Sequence, residues 1–164
     1  MALKKSWTGN VEFGLDTDVT VVLEQLCHAF NQSPFYTYCG MSMRVVDGVI
    51  EAYVEMQKEL IGNTAFRILH GGVAATILDS IGGITAMGEL YKKATPEELP
   101  EISQKVSKLA TIDIRVDYLA PGRGQYFVAR AETLRLGRKG CTMRMTMEND
   151  EGKAIATAIA SYVY

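Results

Sequence analysis

The sequence holds only three cysteines in 164 residues, Cys27, Cys39 and Cys141, and no two of them form a CxxC pair. An odd number at these spacings excludes a disulfide framework and gives no zinc-type ligand pattern, so the three read as small buried hydrophobes. Positive charge is scarce too: 17 Lys and Arg against 19 Asp and Glu leave a net charge of −2, with no basic cluster anywhere along the chain. The electrostatic footprint of a nucleic-acid-binding protein is missing. No apolar stretch of signal-peptide length follows MALKKSWTGN, and no later stretch approaches a charge-free membrane span. The expectation is a cytoplasmic protein with neither nucleic acid nor membrane among its partners. Internal repeats and low-complexity linkers are absent, and 48% of the residues are hydrophobic, which predicts one domain over 1–164 with room for a sizeable core.

What is present falls into alternating patterns. The spacing of Val22, Leu26 and Phe30 predicts an amphipathic helix at about 19–30, capped by Asp18 or Thr20 and ended before Pro34. MSMRVV and VIEAYVEM flank Asp47-Gly48, a dipeptide suited to the positive φ angles of a tight hairpin turn. Over residues 72–90, Val73, Ile77, Leu78, Ile81, Ile84, Met87 and Leu90 spread apolar side chains around almost the whole circumference. That predicts a helix about 28 Å long and buried on most sides. Gly82 and Gly83 inside it each weaken helix propensity by about 1 kcal/mol relative to Ala, which implies that something approaches the backbone there. The segment 92–108 is polar, and its Thr95-Pro96-Glu97-Glu98 fits a capping box at the head of a surface helical insertion.

The last third is strand after strand. In TIDIRVDY, Ile112, Ile114, Val116 and Tyr118 alternate with Thr111, Asp113, Arg115 and Asp117, which predicts a half-buried antiparallel strand with the second set facing solvent. QYFVARAETLRL, CTMRMTME and AIATAIASYVY follow, each after a short break rich in glycine or other turn formers. The sum is an α+β layout, an antiparallel sheet of five or six strands curled around one long helix.

Within that helix lies a single carboxylate among small residues. The positions three and four away from Asp79 are Ala75, Thr76, Gly82 and Gly83, so a ligand or a second backbone has room to reach it. A desolvated carboxylate is costly and becomes a better proton acceptor, which is the kind of cost that function tolerates. The plain alternative is that Asp79 caps a loop or pairs with Arg115. At the head of the helix, His70-Gly71-Gly72 combines close backbone approach with unpaired N–H groups and the positive end of the helix dipole, a setting suited to a developing oxyanion. By themselves these residues fit a loop end better, since glycines often merely end a loop and a lone histidine there is more often a hydrogen-bonded structural residue than a catalyst.

His-Gly-Gly followed by an acid nine residues after the histidine, in this strand order, resembles the PaaI-type acyl-CoA thioesterases of the hotdog fold, and TIDIRVDYLAPGRG resembles their YigI-like branch. The resemblance covers about residues 35–164. It implies hydrolysis of an acyl-CoA thioester without metal or organic cofactor. Under it, Asp79 is the general base or nucleophile, and the Gly71 N–H polarises the carbonyl, with His70 and Gly72 completing the motif. Thr111 falls where relatives carry a hydroxyl that orients water or the aspartate. Asn63 resembles the amide residue upstream of the motif, about one residue further away than in those relatives. The resemblance further implies a homodimer, or a dimer of dimers, with the Asp of one subunit opposite the His-Gly-Gly of the other. Arg138, Lys139 and Arg123 are its candidates for the coenzyme A phosphates, against the plainer reading of solvated loop tips. Phe35, Phe66 and Leu69 are candidate walls of an acyl pocket, against plain core packing. Two other functions compete: a non-catalytic acyl-CoA binding or sensing protein on the same fold, and a hotdog dehydratase, whose proline-rich histidine context is not visible here. The presence of Asp79 favours catalysis.

Overall fold

The computed structural model describes residues 19–164. The candidate cap Asp18 and the MALKKSWTGN segment lie outside the described residues. Helix α1 spans Val19–Asn31 and buries Val22, Leu23, Leu26 and Cys27. A short helix not anticipated from the sequence, α2 (Pro34–Cys39), follows with Pro at its first position and Gly40 in the left-handed region at its C-cap. Strands β1 (Met41–Val46) and β2 (Val49–Glu55) pair antiparallel across Asp47 and Gly48, whose φ angles of +50° and +76° are those the dipeptide predicts. A 3-10 turn, Lys58–Leu60, then leads into a second small sheet that the sequence patterns do not announce, β3 (Ile61–Asn63) paired with β4 (Ile68–Leu69).

Helix α3 runs from Gly71 to Lys92. It is long and apolar enough to cross a membrane by length and composition, yet it is the core helix, packed by β2, β5, β6, β7 and β8. The polar segment after it forms a 3-10 turn at Pro96–Glu98 and helix α4 (Leu99–Ser107), with the Glu98 carboxylate accepting from the Thr95 N–H at 2.9 Å. Strands β5 (Ala110–Tyr118), β6 (Tyr126–Leu136), β7 (Gly140–Asn149) and β8 (Ala154–Val163) complete a six-stranded sheet in the order β1-β2-β6-β7-β8-β5, antiparallel throughout.

The inner face of that sheet is a ridge between two shallow rows. On β7, Met143, Met145 and Met147 are fully buried. Their register partners on β8 are Ala160, Ala158 and Ala156, and on β6 they are Thr133, Ala131 and Ala129. Small residues beside the thioethers let the sheet close on α3, and unbranched methionines fill the irregular space that remains. The close approach implied by Gly82 is real: a Cβ there would stand 2.2 Å from the Tyr162 Oη and 2.9 Å from the Met145 sulfur.

One expectation about β5 is overturned. The register shifts between Thr111 and Asp113, so Ile112 is an extra, bulged residue and 67% exposed. Thr111 pairs with Tyr162, and Ile114, Val116 and Tyr118 pair with Ala160, Ala158 and Ala156, all on the helix side. Thr111 therefore faces α3 rather than solvent, because a bulge reverses the side-chain alternation on one side of itself. Arg115 pairs with Asp117 at 3.0 Å, which removes it as a partner for Asp79. Cys27 and Cys141 are buried, Cys39 is half-buried, and all three are free thiols. Burial pushes Cys27 and Cys141 up to about 11, so neither is a ready thiolate.

Candidate active site

Two clusters form around α3, one at its first turn and one two turns further on. At the first turn His70 is the N-cap residue, with extended backbone, and its Nδ1 accepts from the Gly72 N–H at 2.8 Å. The histidine thus satisfies one of the donors that a helix start leaves open. Its own N–H donates to the Leu60 carbonyl at 2.8 Å, and Gly62 packs beneath it, where a Cβ would stand 2.7 Å from the His70 Cα. On the other side the Leu69 N–H donates to the Gly122 carbonyl at 2.9 Å, tying the Pro121–Gly124 loop to β4. The Tyr118 hydroxyl donates to the Gly71 carbonyl at 2.9 Å. Gly71 is the first helical residue, and among the described residues its N–H has no acceptor.

The second cluster holds the carboxylate. Asp79 is half-buried rather than enclosed. Its Oδ1 accepts from the Thr111 hydroxyl at 2.9 Å, and the Tyr162 hydroxyl lies 3.5 Å from the same oxygen while donating to the Asp79 backbone carbonyl at 2.8 Å. Burial, and after it the Asp79 charge, push Tyr162 far above the ordinary tyrosine range, so it stays a neutral donor. Tyr36 of α2 reaches the same place. Burial raises its phenol, its hydrogen bond with Ser80 pulls the other way, and the Asp79 charge adds to the rise. The arrangement holds one carboxylate oxygen and leaves Oδ2 with no hydrogen-bond donor among the described residues.

Of the residues singled out in the sequence, the structure brings His70, Gly71 and Gly72 together, and separately brings Asp79 and Thr111 together. Asn63 is exposed at the end of β3 and accepts from the Phe66 N–H at 3.2 Å, a role inside its own turn. Arg138 and Lys139 are exposed in the β6–β7 hairpin, and Arg123 is exposed in the loop before β6 with its carbonyl accepting from the Asn149 side chain at 2.7 Å. Leu69 lines a cavity of about 420 Å³ beside Gly71, whose walls include Ile68, Ala74, Tyr118, Leu119 and Ile155. Phe35 and Phe66 are 53% and 63% exposed and do not line it. Sequence reasoning missed Tyr118 and Tyr162. The usable signal for Tyr162 was Gly82-Gly83 on the helix: a close approach there, and a buried tyrosine whose hydroxyl needs a partner, are two halves of one contact. Among the described residues no cluster of three or more His, Cys, Asp or Glu could hold a metal ion.

Comparison with known proteins agrees with this architecture. The family described as the thioesterase superfamily matches residues 66–156. The chain is 37% identical over 131 residues to the medium/long-chain acyl-CoA thioesterase YigI of Escherichia coli K12, covering 79% of this chain and 84% of the relative. It is 40% identical over the same length and shares to the protein of that name in Salmonella typhimurium. Among solved structures, a Shewanella oneidensis protein related to the thioesterase superfamily superposes with a TM-score of 0.83 at 38% identity, covering 88% of this chain and 96% of that one. A Haemophilus influenzae thioesterase shares the fold, with a TM-score of 0.67 at 21% identity over 91% of this chain and 92% of its own. A six-stranded antiparallel sheet around α3, a family match over more than half the chain and relatives above 30% identity lead to one conclusion: the chain belongs to the thioesterase superfamily and is a thioester hydrolase of the hotdog fold.

Proposed function

We propose that this enzyme hydrolyses acyl-CoA thioesters, of the medium and long chain lengths named for its relatives, and that it acts as a dimer in the cytoplasm. The observation that carries this reading is a separation. Asp79 and Gly71 are eight residues apart on one helix, about 12 Å along its axis at a rise of 1.5 Å per residue. A base or nucleophile and an oxyanion donor must both sit within about 3 Å of one carbonyl group. One chain therefore holds the two halves of a site too far apart to use them together.

A second copy supplies the missing half. Strand β5 is at the edge of the sheet, with Thr111 near its start beside Asp79 and Tyr118 at its end beside Gly71. Antiparallel pairing of this edge with itself about a two-fold axis sets the start of one strand against the end of the other. Asp79 of one protomer then faces Gly71 of its partner. In the reaction, Asp79 either takes a proton from an attacking water or attacks the carbonyl carbon itself to give an anhydride that water cleaves. The Gly71 N–H stabilises the oxyanion, the C–S bond breaks, and the thiolate of coenzyme A takes up a proton to leave as the thiol beside the free acid. Thr111 orients the carboxylate by holding Oδ1. The cavity beside Gly71 receives an apolar part of the substrate, while Arg123, Arg138 and Lys139 are the cations for the nucleotide phosphates and Asn63 stays a candidate for carbonyl orientation.

The test is a panel of acyl-CoA substrates from short to long chain with free-thiol detection, run on the wild type and on Asp79→Asn. The wild type should release thiol with a preference for medium and long chains, and the variant should be slower by at least about 100-fold. No thiol from any acyl-CoA with the wild type would overturn the substrate class and leave the non-catalytic binder. Wild-type turnover in a folded Asp79→Asn protein would overturn the catalytic residue.

A further inference from the structure

We propose that Tyr118 is a positioning residue that aims the Gly71 amide at the substrate carbonyl. The proposal rests on the reading of Gly71 as the oxyanion donor and explains why that N–H, of all those in the first turn, is the one available. The peptide between Gly71 and Gly72 is held at both edges, its carbonyl by the Tyr118 hydroxyl at 2.9 Å and its N–H by the His70 Nδ1 at 2.8 Å. The preceding peptide is held at its carbonyl, since the His70 oxygen accepts from the Val73 N–H at 3.0 Å and from the Ala74 N–H at 3.4 Å. Gly72, Val73 and Ala74 thus have their N–H groups occupied, and the Gly71 N–H is left over.

Glycine has no Cβ to limit its φ and ψ, so at two successive glycines the contacts that add to the helix's own hydrogen bonds matter more for fixing the peptide planes. The Thr76 hydroxyl provides one within the helix, donating to the Gly72 carbonyl at 2.9 Å, and Tyr118 provides the one from outside it. It is the last residue of β5 and its ring lies against Gly71, where a Cβ would stand 3.2 Å from two of its ring carbons. Within one chain the residue is 56% exposed, at the β5 edge that the proposed dimer pairs, so it is not a filler of its own chain's core. A hydroxyl spent on a backbone carbonyl from that edge is suited to fixing a dihedral angle. An oxyanion donor has to be in place before the charge develops, because reorganisation during the reaction raises the barrier.

Tyr118→Phe keeps the ring and removes the bond. In the full-length protein kcat for acyl-CoA should fall about tenfold with KM within about twofold, because the hydroxyl's hold on the Gly71 carbonyl matters only as charge develops on the substrate oxygen. Hydrogen exchange at the Gly72 amide, followed by NMR, should become several-fold faster as the peptide loosens. A kcat within twofold of wild type overturns the proposal, as does a fall in kcat with no change in Gly72 exchange, or a loss borne entirely by KM. Asp79→Asn, measured in parallel, separates the two levels. Its inactivity with normal Tyr118→Phe turnover sinks the positioning role alone, whereas its full activity sinks the underlying site and the catalytic part of this proposal with it.

Discussion

Strands β5 and β6 each carry one extra residue, Ile112 in the first and Leu134 in the second, and in both the residue before it is a threonine turned toward α3. Both extra residues are pushed outward, to 67% and 43% exposure. At β5 the inward hydroxyl meets the Asp79 carboxylate and bonds to it at 2.9 Å. At β6 the helix presents Thr85 instead. The hydroxyls of Thr85 and Thr133 are both buried without a hydrogen-bond partner among the described residues, and both residues line a cavity of about 220 Å³ with Leu23, Gly88 and Ala131. The same backbone device therefore delivers a hydroxyl to the helix in two places. Only at β5 does the helix present a charged acceptor, and only β5 of the two strands is at an edge, which is where the proposed mechanism puts the chemistry.

The strongest way to break the comparison acts on the acceptor itself and on the amide it is meant to face. Asp79→Asn and Gly71→Val should each lose at least about 100-fold in kcat/KM. Mixed and allowed to exchange subunits, the two inactive proteins should recover about a quarter of wild-type activity, because half of the dimers are mixed and each of these has one intact site. Mass spectrometry would establish that mixed dimers are present. No recovery in their presence would put both groups in one chain.

The bulges themselves supply a control. Deleting Ile112 leaves Thr111 opposite Tyr162 and Asp113 opposite Ser161, so the alternation becomes unbroken with Thr111 still facing α3, and kcat should stay within about threefold while circular dichroism keeps the sheet signal. Deleting Leu134 likewise leaves Thr133 opposite Met143 and should leave kcat within about twofold. A large loss from the Ile112 deletion alone would mean that the bulge at β5 does more than seat the hydroxyl.

Next in size is the coenzyme end. Neutralising Arg138 and Lys139 together should raise KM for acyl-CoA several-fold, leave kcat near wild type, and lose that effect as salt screens the exposed charges. A small thioester without the nucleotide phosphates should be unaffected, and an equal loss on it would withdraw the role. Smallest is the isosteric pair. Thr133→Val removes an unpartnered buried hydroxyl and should stabilise the protein by about 1 kcal/mol in urea unfolding, with turnover unchanged. Thr111→Val should instead lower kcat, because the hydroxyl it removes has the Asp79 carboxylate as its acceptor.

The parts of the fold legible in the sequence are those written as a repeating pattern over many residues. The all-round apolar character of 72–90 identifies α3, and the turn chemistry of Asp47-Gly48 sets the first hairpin. His-Gly-Gly and Asp79 are legible as a motif, because nine-residue spacing survives without knowledge of contacts. Single-residue events are not legible. A bulge at Ile112 leaves the sequence looking like uninterrupted alternation, so pattern assigns Thr111 to the solvent face and only resemblance assigns it to the site. The short β3–β4 pair and α2 have too few residues for any period to establish itself. Tyr118 and Tyr162 are hidden for a different reason: in a strand an aromatic reads as packing, and nothing local says that its hydroxyl reaches a backbone carbonyl 47 or 83 residues away.

The row of three methionines under α3 bears on how such an enzyme tolerates change. A helix that carries a carboxylate to the start of β5 and a backbone peptide to its end must be adjustable by small amounts whenever a neighbouring residue is replaced. A bed of branched side chains locks a helix into one seating and turns each such adjustment into a void or a clash, whereas thioethers swing and refill the gap. Met143, Met145 and Met147, flanked by alanines that leave them room, make the centre of this sheet a compliant bearing. Substrate preference can then drift through substitutions at the rim while the seating of the helix is corrected from below.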